Sequence, residues 1–159
     1  YWFNPNYDDV EVRNSLTKMQ LYMTISPKNP GGSLGVECRG NVGSFSIIFS
    51  WSVLKKPDIC LIGMDMGYPE DMPLEETYYY SKALDYMGAL AANTNYDKVY
   101  HPMFKTMSKI DPVFKQYRAT LLDAFYKKPK WARIFNCTEG GTIFHQNVEC
   151  IKFEEWLKQ

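Results

Sequence analysis

Three short segments of this sequence combine glycines with polar side chains in a way that suits a ligand pocket. The first is Gly40-Asn41-Val42-Gly43-Ser44. Its glycines let a ligand approach the backbone closely. The free amides at the start of a following helix attract anions. Asn41 can cap that helix, and Ser44 adds a hydroxyl donor. The segment reads as a phosphate-binding turn, or as a well-made helix start with no ligand. It is not a Walker loop, because the required lysine is missing, and it is not GxGxxG.

The second segment is Gly63-Met64-Asp65-Met66-Gly67-Tyr68. Asp65 follows an apolar run, at the carboxyl end of an expected buried strand. Open parallel sheets bind their ligands there. A carboxylate at that place can accept from sugar hydroxyls, hold a divalent cation or serve as a base. The plainer reading is an Asp that caps its own loop. The third segment, residues 136–142 (NCTEGGT), again ends a strand run in a polar glycine turn. Glu139 can be a base, a metal ligand or a ribose acceptor there, with Thr138 and Gly140 beside it. The plainer reading is a solvated turn. His145 follows closely enough to reach the same crevice; His101 is the other histidine. Loop histidines are more often simply exposed. Tyr78-Tyr79-Tyr80 point in different directions on a helix, so one or two at most face one ligand.

These segments need elements to hold them. Residues 42–55 read as a helix with Val42, Phe45, Ile48, Phe49 and Val53 on one face, stopped by Pro57. Residues 58–64 form a continuous apolar run, as in a buried parallel strand. With a strand over 34–38 before the helix, this makes a βαβ unit. Residues 65–77 read as loop, 78–90 as helix and 93–102 as loop. Asp111 caps a helix that has Pro112 at its first position and runs to Tyr126. Residues 132–137 are a third strand, and 153–158 a short final helix. Residues 1–33 read as an irregular segment with a short helix from Asn14 or Ser15 to Met23.

Composition narrows the classes. The chain has 159 residues, with 45% hydrophobic and 23% charged, as in a folded domain and not a disordered tail. Eighteen basic residues balance eighteen acidic ones, so the chain as a whole carries no basic footprint for nucleic acid. No run approaches the roughly 20 apolar residues of a membrane helix. Cys38, Cys60, Cys137 and Cys150 form no CxxC pair and read as buried thiols, with two disulfides the alternative. The run Lys127-Lys128-Lys130 reads as a solvated helix end, with a weak role for an anionic partner as the alternative. The chain starts at Tyr1 without a leader, which suggests a cytoplasmic protein, or a piece of something longer.

Taken in order, GNVGS, ICLIGMDMGYP, PLEETYYY, DPVFKQYR, NCTEGG and the ending CIKFEEWL resemble one family. It is the domain shared by bacterial motility accessory factors and the archaeal 6-hydroxymethylpterin diphosphokinase. The resemblance runs from about Tyr1 to Leu157. It implies an α/β fold: a Rossmann-like three-layer sandwich with a mostly parallel sheet, similar to bacterial sialyltransferases. Some members look like glycosyltransferases that use nucleotide-activated nonulosonic sugars; another branch transfers diphosphate from ATP with magnesium. By motif, Gly40, Asn41, Gly43 and Ser44 would face the nucleotide, with Thr138 and Gly140 closing the pocket. Asp65, Glu139 and His145 are the candidates for catalysis. Under the diphosphokinase reading, Asp65 with Glu139 or Glu75 would bind magnesium. The family's GxGPSL turn is absent from this sequence, which suggests a single domain lacking its first βα unit, the carboxyl-terminal part of a longer transferase. The expected partners are a nucleotide or nucleotide-sugar and a small-molecule or protein acceptor, with no nucleic acid and no membrane. A truncated domain that binds without turnover is the third reading.

Overall fold

The computed structural model describes residues 40–158. The helix expected near Asn14, the strand expected over 34–38, the irregular reading of 1–33 and Cys38 lie outside the described residues.

Helix α1 spans Val42–Ser52. Asn41 starts it with extended backbone, its side chain accepting the Ser44 N–H at 2.9 Å. The helix ends before residue 55, and Lys55 takes up left-handed backbone at φ 54°. Strand β1 then spans Asp58–Leu61. It is shorter than the apolar run, because the chain turns at Gly63 with φ +66° and leaves Ile62 exposed. The chain continues through strand β2 (Tyr68–Pro69) and a single 3-10 turn (Leu74–Glu76) to helix α2 (Tyr78–Met87). Helix α3 (Ala89–Thr94) follows directly, since Gly88, at φ +84°, breaks what the sequence suggested was one helix.

Strands β3 (Asp97–His101) and β4 (Thr106–Ile110) form an antiparallel hairpin, with β2 on the other side of β4. Residues 93–102 were expected to be loop. The inward positions of this hairpin are largely polar, His101 and Ser108 among them, so no apolar alternation betrays it. Helix α4 spans Pro112–Lys127, with the buried Asp111 carboxylate accepting the Phe114 N–H at 2.8 Å. Strands β5 (Arg133–Asn136) and β6 (Glu149–Cys150) and helix α5 (Phe153–Trp156) complete the described chain.

The fold is α/β, with two three-stranded sheets. One is parallel, in the order β1-β5-β6, with Asp58 opposite Arg133 and Leu61 opposite Asn136. The other is antiparallel, in the order β2-β4-β3. Ile59 and Leu61 of β1, Ile134 and Phe135 of β5, Ile47, Ile48 and Trp51 of α1, and Leu121 and Phe125 of α4 are buried. Burying each such large side chain contributes about 1.5–3 kcal/mol. Cys60, Cys137 and Cys150 carry free thiols; burial, then the neighbouring Cys60, pushes Cys137 up to about 12. No helix among the described residues is long and apolar enough to cross a membrane.

His101 sits fully buried at the end of β3. Its Nδ1 accepts the Phe104 N–H at 3.2 Å, which assigns the proton to Nε2, 3.1 Å from the Ile143 carbonyl. Its ring stacks on Phe104. Burial, with the nearby Arg118 charge adding to it, holds its pKa below the usual histidine value, and burial does the same for His145. The unfolded chain therefore binds protons more readily than the folded one. Stability is complete above about pH 6.5 and falls as pH drops toward the folded values, by up to about 1.4 kcal/mol per pH unit for each histidine. Urea midpoints measured from pH 7.5 downward check this. A His101→Gln variant is expected to show a flatter slope, and an unchanged slope would remove His101 as a cause.

Candidate functional site

Because β1 and β5 are parallel, the segments that follow them emerge at the same edge of the sheet. Hydrogen bonds bind these segments together. The Thr142 N–H donates to the Asp65 carbonyl at 2.8 Å. The Thr142 hydroxyl donates to the Met66 carbonyl at 2.8 Å. The Met64 N–H donates to the Thr138 hydroxyl oxygen at 3.3 Å. Asn136, wholly buried, supports the turn from below: its amide donates to the Ile143 carbonyl at 2.7 Å, and its oxygen accepts the Thr138 N–H at 3.0 Å.

Two glycines make this closeness possible. Gly141 has φ +73°, and a Cβ there would stand 2.5 Å from the Asp65 carbonyl oxygen. A Cβ on Gly67 would stand 2.8 Å from the Lys109 carbonyl and 2.9 Å from the Thr142 methyl. Gly67 thus lets β2 and the adjoining loop sit between the 142 turn and β4. Met66 and Glu139 take left-handed backbone at φ 47° and φ 61°. Such strain in non-glycine residues persists only where the surroundings impose it.

Between the two loops and β4 lies an open cleft of about 710 Å³. Asp65, Thr138, Glu139 and Gly140 line it together, as the sequence suggested. Asp65 is exposed, and its carboxylate has no hydrogen-bond or ion-pair partner among the described residues. Glu139 is partly committed: its Oε1 accepts the Phe153 N–H at 3.3 Å at the start of α5. Glu70 and Asp71 add two further carboxylates, Glu70 being paired with Lys98 at 2.8 Å. Among the described residues no lysine or arginine lines the cleft. The Tyr68 hydroxyl donates to Asp111 at 2.7 Å; burial and the Asp111 carboxylate raise its pKa, so the phenol stays neutral.

The remaining expected residues lie elsewhere. His145 does not line the cleft. It packs edge-on to Tyr126 at 4.2 Å, its Nδ1 accepts the Asn147 N–H, and its Nε2 has no hydrogen-bond partner among the described residues. Gly40, Asn41, Gly43 and Ser44 do not line it either. Asn41 and Ser44 are hydrogen-bonded to each other through both side chain and backbone, and Ser44 is fully buried. A Cβ on Gly43 would meet the Met64 sulfur at 2.6 Å, so this turn stands behind the Asp65 loop, not in the cleft. Glu75 belongs to the 3-10 turn, also outside the cleft.

Sequence reasoning missed the wall supplied by β4: Thr106, Met107 and Ser108. The signal was the β-prone runs Val99-Tyr100 and Thr106-Met107 on either side of a short turn containing Pro102. The Thr106 hydroxyl is buried without a hydrogen-bond partner among the described residues, facing Gly140. Comparison of the chain with protein-family models, with curated proteins and with solved structures returned no match.

Proposed function

We propose that the chain is a nucleotide-dependent transferase, a glycosyltransferase that moves a nonulosonic-type sugar from its nucleotide-activated donor to a hydroxyl acceptor. The proposal carries with it a Rossmann-like sandwich similar to that of bacterial sialyltransferases. The observation that carries it is the convergence of Asp65 and Glu139 on one cleft, at the carboxyl ends of adjacent parallel strands. In this reading Asp65 takes the proton of the acceptor hydroxyl as its oxygen attacks the anomeric carbon, and the nucleotide phosphate departs. The uncommitted carboxylate suits that task. The lining among the described residues carries carboxylates and no cationic side chain, which suits an acceptor's hydroxyl groups better than bare phosphates.

The same carboxylates favour a second reading, a magnesium- and ATP-dependent 6-hydroxymethylpterin diphosphokinase. Acidic oxygens suit a hard cation. Among the described residues no three His, Cys, Asp or Glu side chains are grouped to hold a metal ion by themselves, so in this reading magnesium would rest on one or two carboxylates together with the ATP phosphates.

Thermal shifts with CMP, with ATP plus and minus magnesium, and with buffer separate the two. A ligand at about 100 times its Kd adds about 2.7 kcal/mol. Stabilisation by CMP alone is expected. Stabilisation by ATP that needs magnesium would favour the diphosphokinase. No shift with either nucleotide would leave a binding domain without turnover.

A further inference from the structure

The zero net charge conceals a segregation of charge. The acidic cleft lies at the carboxyl edge of the parallel sheet. The amino edge carries two Lys-Lys-Pro corners, Lys55-Lys56-Pro57 before β1 and Lys127-Lys128-Pro129 before β5. Lys130, Trp131 and Arg133 continue the second corner. The corners are neighbours, since the Arg133 N–H donates to the Pro57 carbonyl at 2.6 Å.

The counter-charges there are Asp58, Asp123 and Glu149, the last acting on Arg133 through space. Asp58 accepts both Arg133 hydrogen bonds, at 2.6 and 2.8 Å, and Asp123 accepts Lys127 at 2.8 Å. Lys55, Lys56, Lys128 and Lys130 have no ion-pair partner among the described residues, although Lys128 reaches the Ala132 carbonyl. The ends of α1 and α4 offset roughly one unit of positive charge between them. Helix-end compensation therefore does not account for all these lysines. It does not account for Trp131 either, which follows Lys130 in sequence and is 46% exposed. An exposed tryptophan next to exposed lysines is the composition of a membrane-interface anchor.

We propose that this edge docks on an anionic lipid surface. Lys55, Lys56 and Lys130, all exposed, meet the headgroups, and Trp131 lies at the depth of the interface. The cleft, at the opposite edge of the same sheet, then faces solvent. A single-stranded nucleic acid would call for successive aromatic platforms along a basic track. Here one exposed tryptophan follows Lys130, and the Tyr126 ring is already engaged with His145.

Flotation of the full chain with vesicles tests this. The vesicles contain phosphatidylcholine alone or with about 30% phosphatidylserine, in about 0.1 M salt. Binding is expected only to the anionic vesicles, with release at high salt. Lys56→Gln and Lys130→Gln are each expected to lower partitioning about fivefold. The vesicles should shift the tryptophan emission to the blue, and Trp131→Phe should abolish that shift. These exposed positions leave the fold intact, which circular dichroism verifies. Equal binding to both vesicle types, no binding to either, or binding to a single-stranded oligonucleotide with none to vesicles would overturn the proposal.

Discussion

Replacing Gly141 by alanine is expected to destabilise the protein by about 3 kcal/mol. Two costs combine. The left-handed backbone, at φ +73°, costs an L-residue about 1–2 kcal/mol. The new methyl must also find room 2.5 Å from the Asp65 carbonyl oxygen and 2.6 Å from the Asp65 Cα. Backbone cannot swing aside like a side chain, and overpacking of this kind costs about 1–3 kcal/mol. Gly63→Ala is the control. Gly63 has φ +66°, but nothing lies within 4 Å of its Cβ position, so only the backbone cost applies. Urea unfolding of the two variants separates the contributions. Equal losses would mean that the Asp65 loop does not press on Gly141.

Under the proposed transfer, Asp65→Asn is expected to lower kcat by about a hundred- to ten-thousand-fold, the span of a lost general base. The shape of the side chain is kept and its carboxylate has no partner to lose, so stability should stay within about 0.5 kcal/mol of the parent. KM should move little, because the proton leaves only on the way to the transition state. Glu139→Gln should have the smaller effect on rate, since one Glu139 oxygen already serves α5. A transfer assay on both variants decides. An Asp65→Asn enzyme with parental kcat would assign the base to another group.

Parts of this were legible in the sequence for physical reasons. The cap at Asp111, Pro112 at the first helical position and the helix after Asn41 all follow from local chemistry, and each is present. The apolar runs that became β1 and β5 were legible because both are buried. The grouping of Asp65 with Glu139 followed from placing two turns at one sheet edge. The hairpin β3–β4 was not legible from hydrophobic periodicity, only from the short β-prone runs that flank its turn. His101 and Ser108 are buried through hydrogen bonds and ring stacking, so its inward face carries no apolar rhythm. His145 misled for the opposite reason: nearness in sequence to Glu139 did not bring it into the cleft lining, and its ring packs against Tyr126. The Gly40–Ser44 turn was read as a phosphate-binding turn or a plain helix start; it starts the helix, its Asn41 and Ser44 bond each other, and it does not line the cleft.

The bonds from Thr142 to Asp65 and Met66 join residues 77 and 76 positions apart. Contacts of such separation are slow to form, because the intervening chain must first be ordered. During synthesis the Asp65 loop waits for its partner until Thr142 has left the ribosome. The cleft is thus among the late products of folding, and a nascent chain has no partly built version of it to offer a substrate.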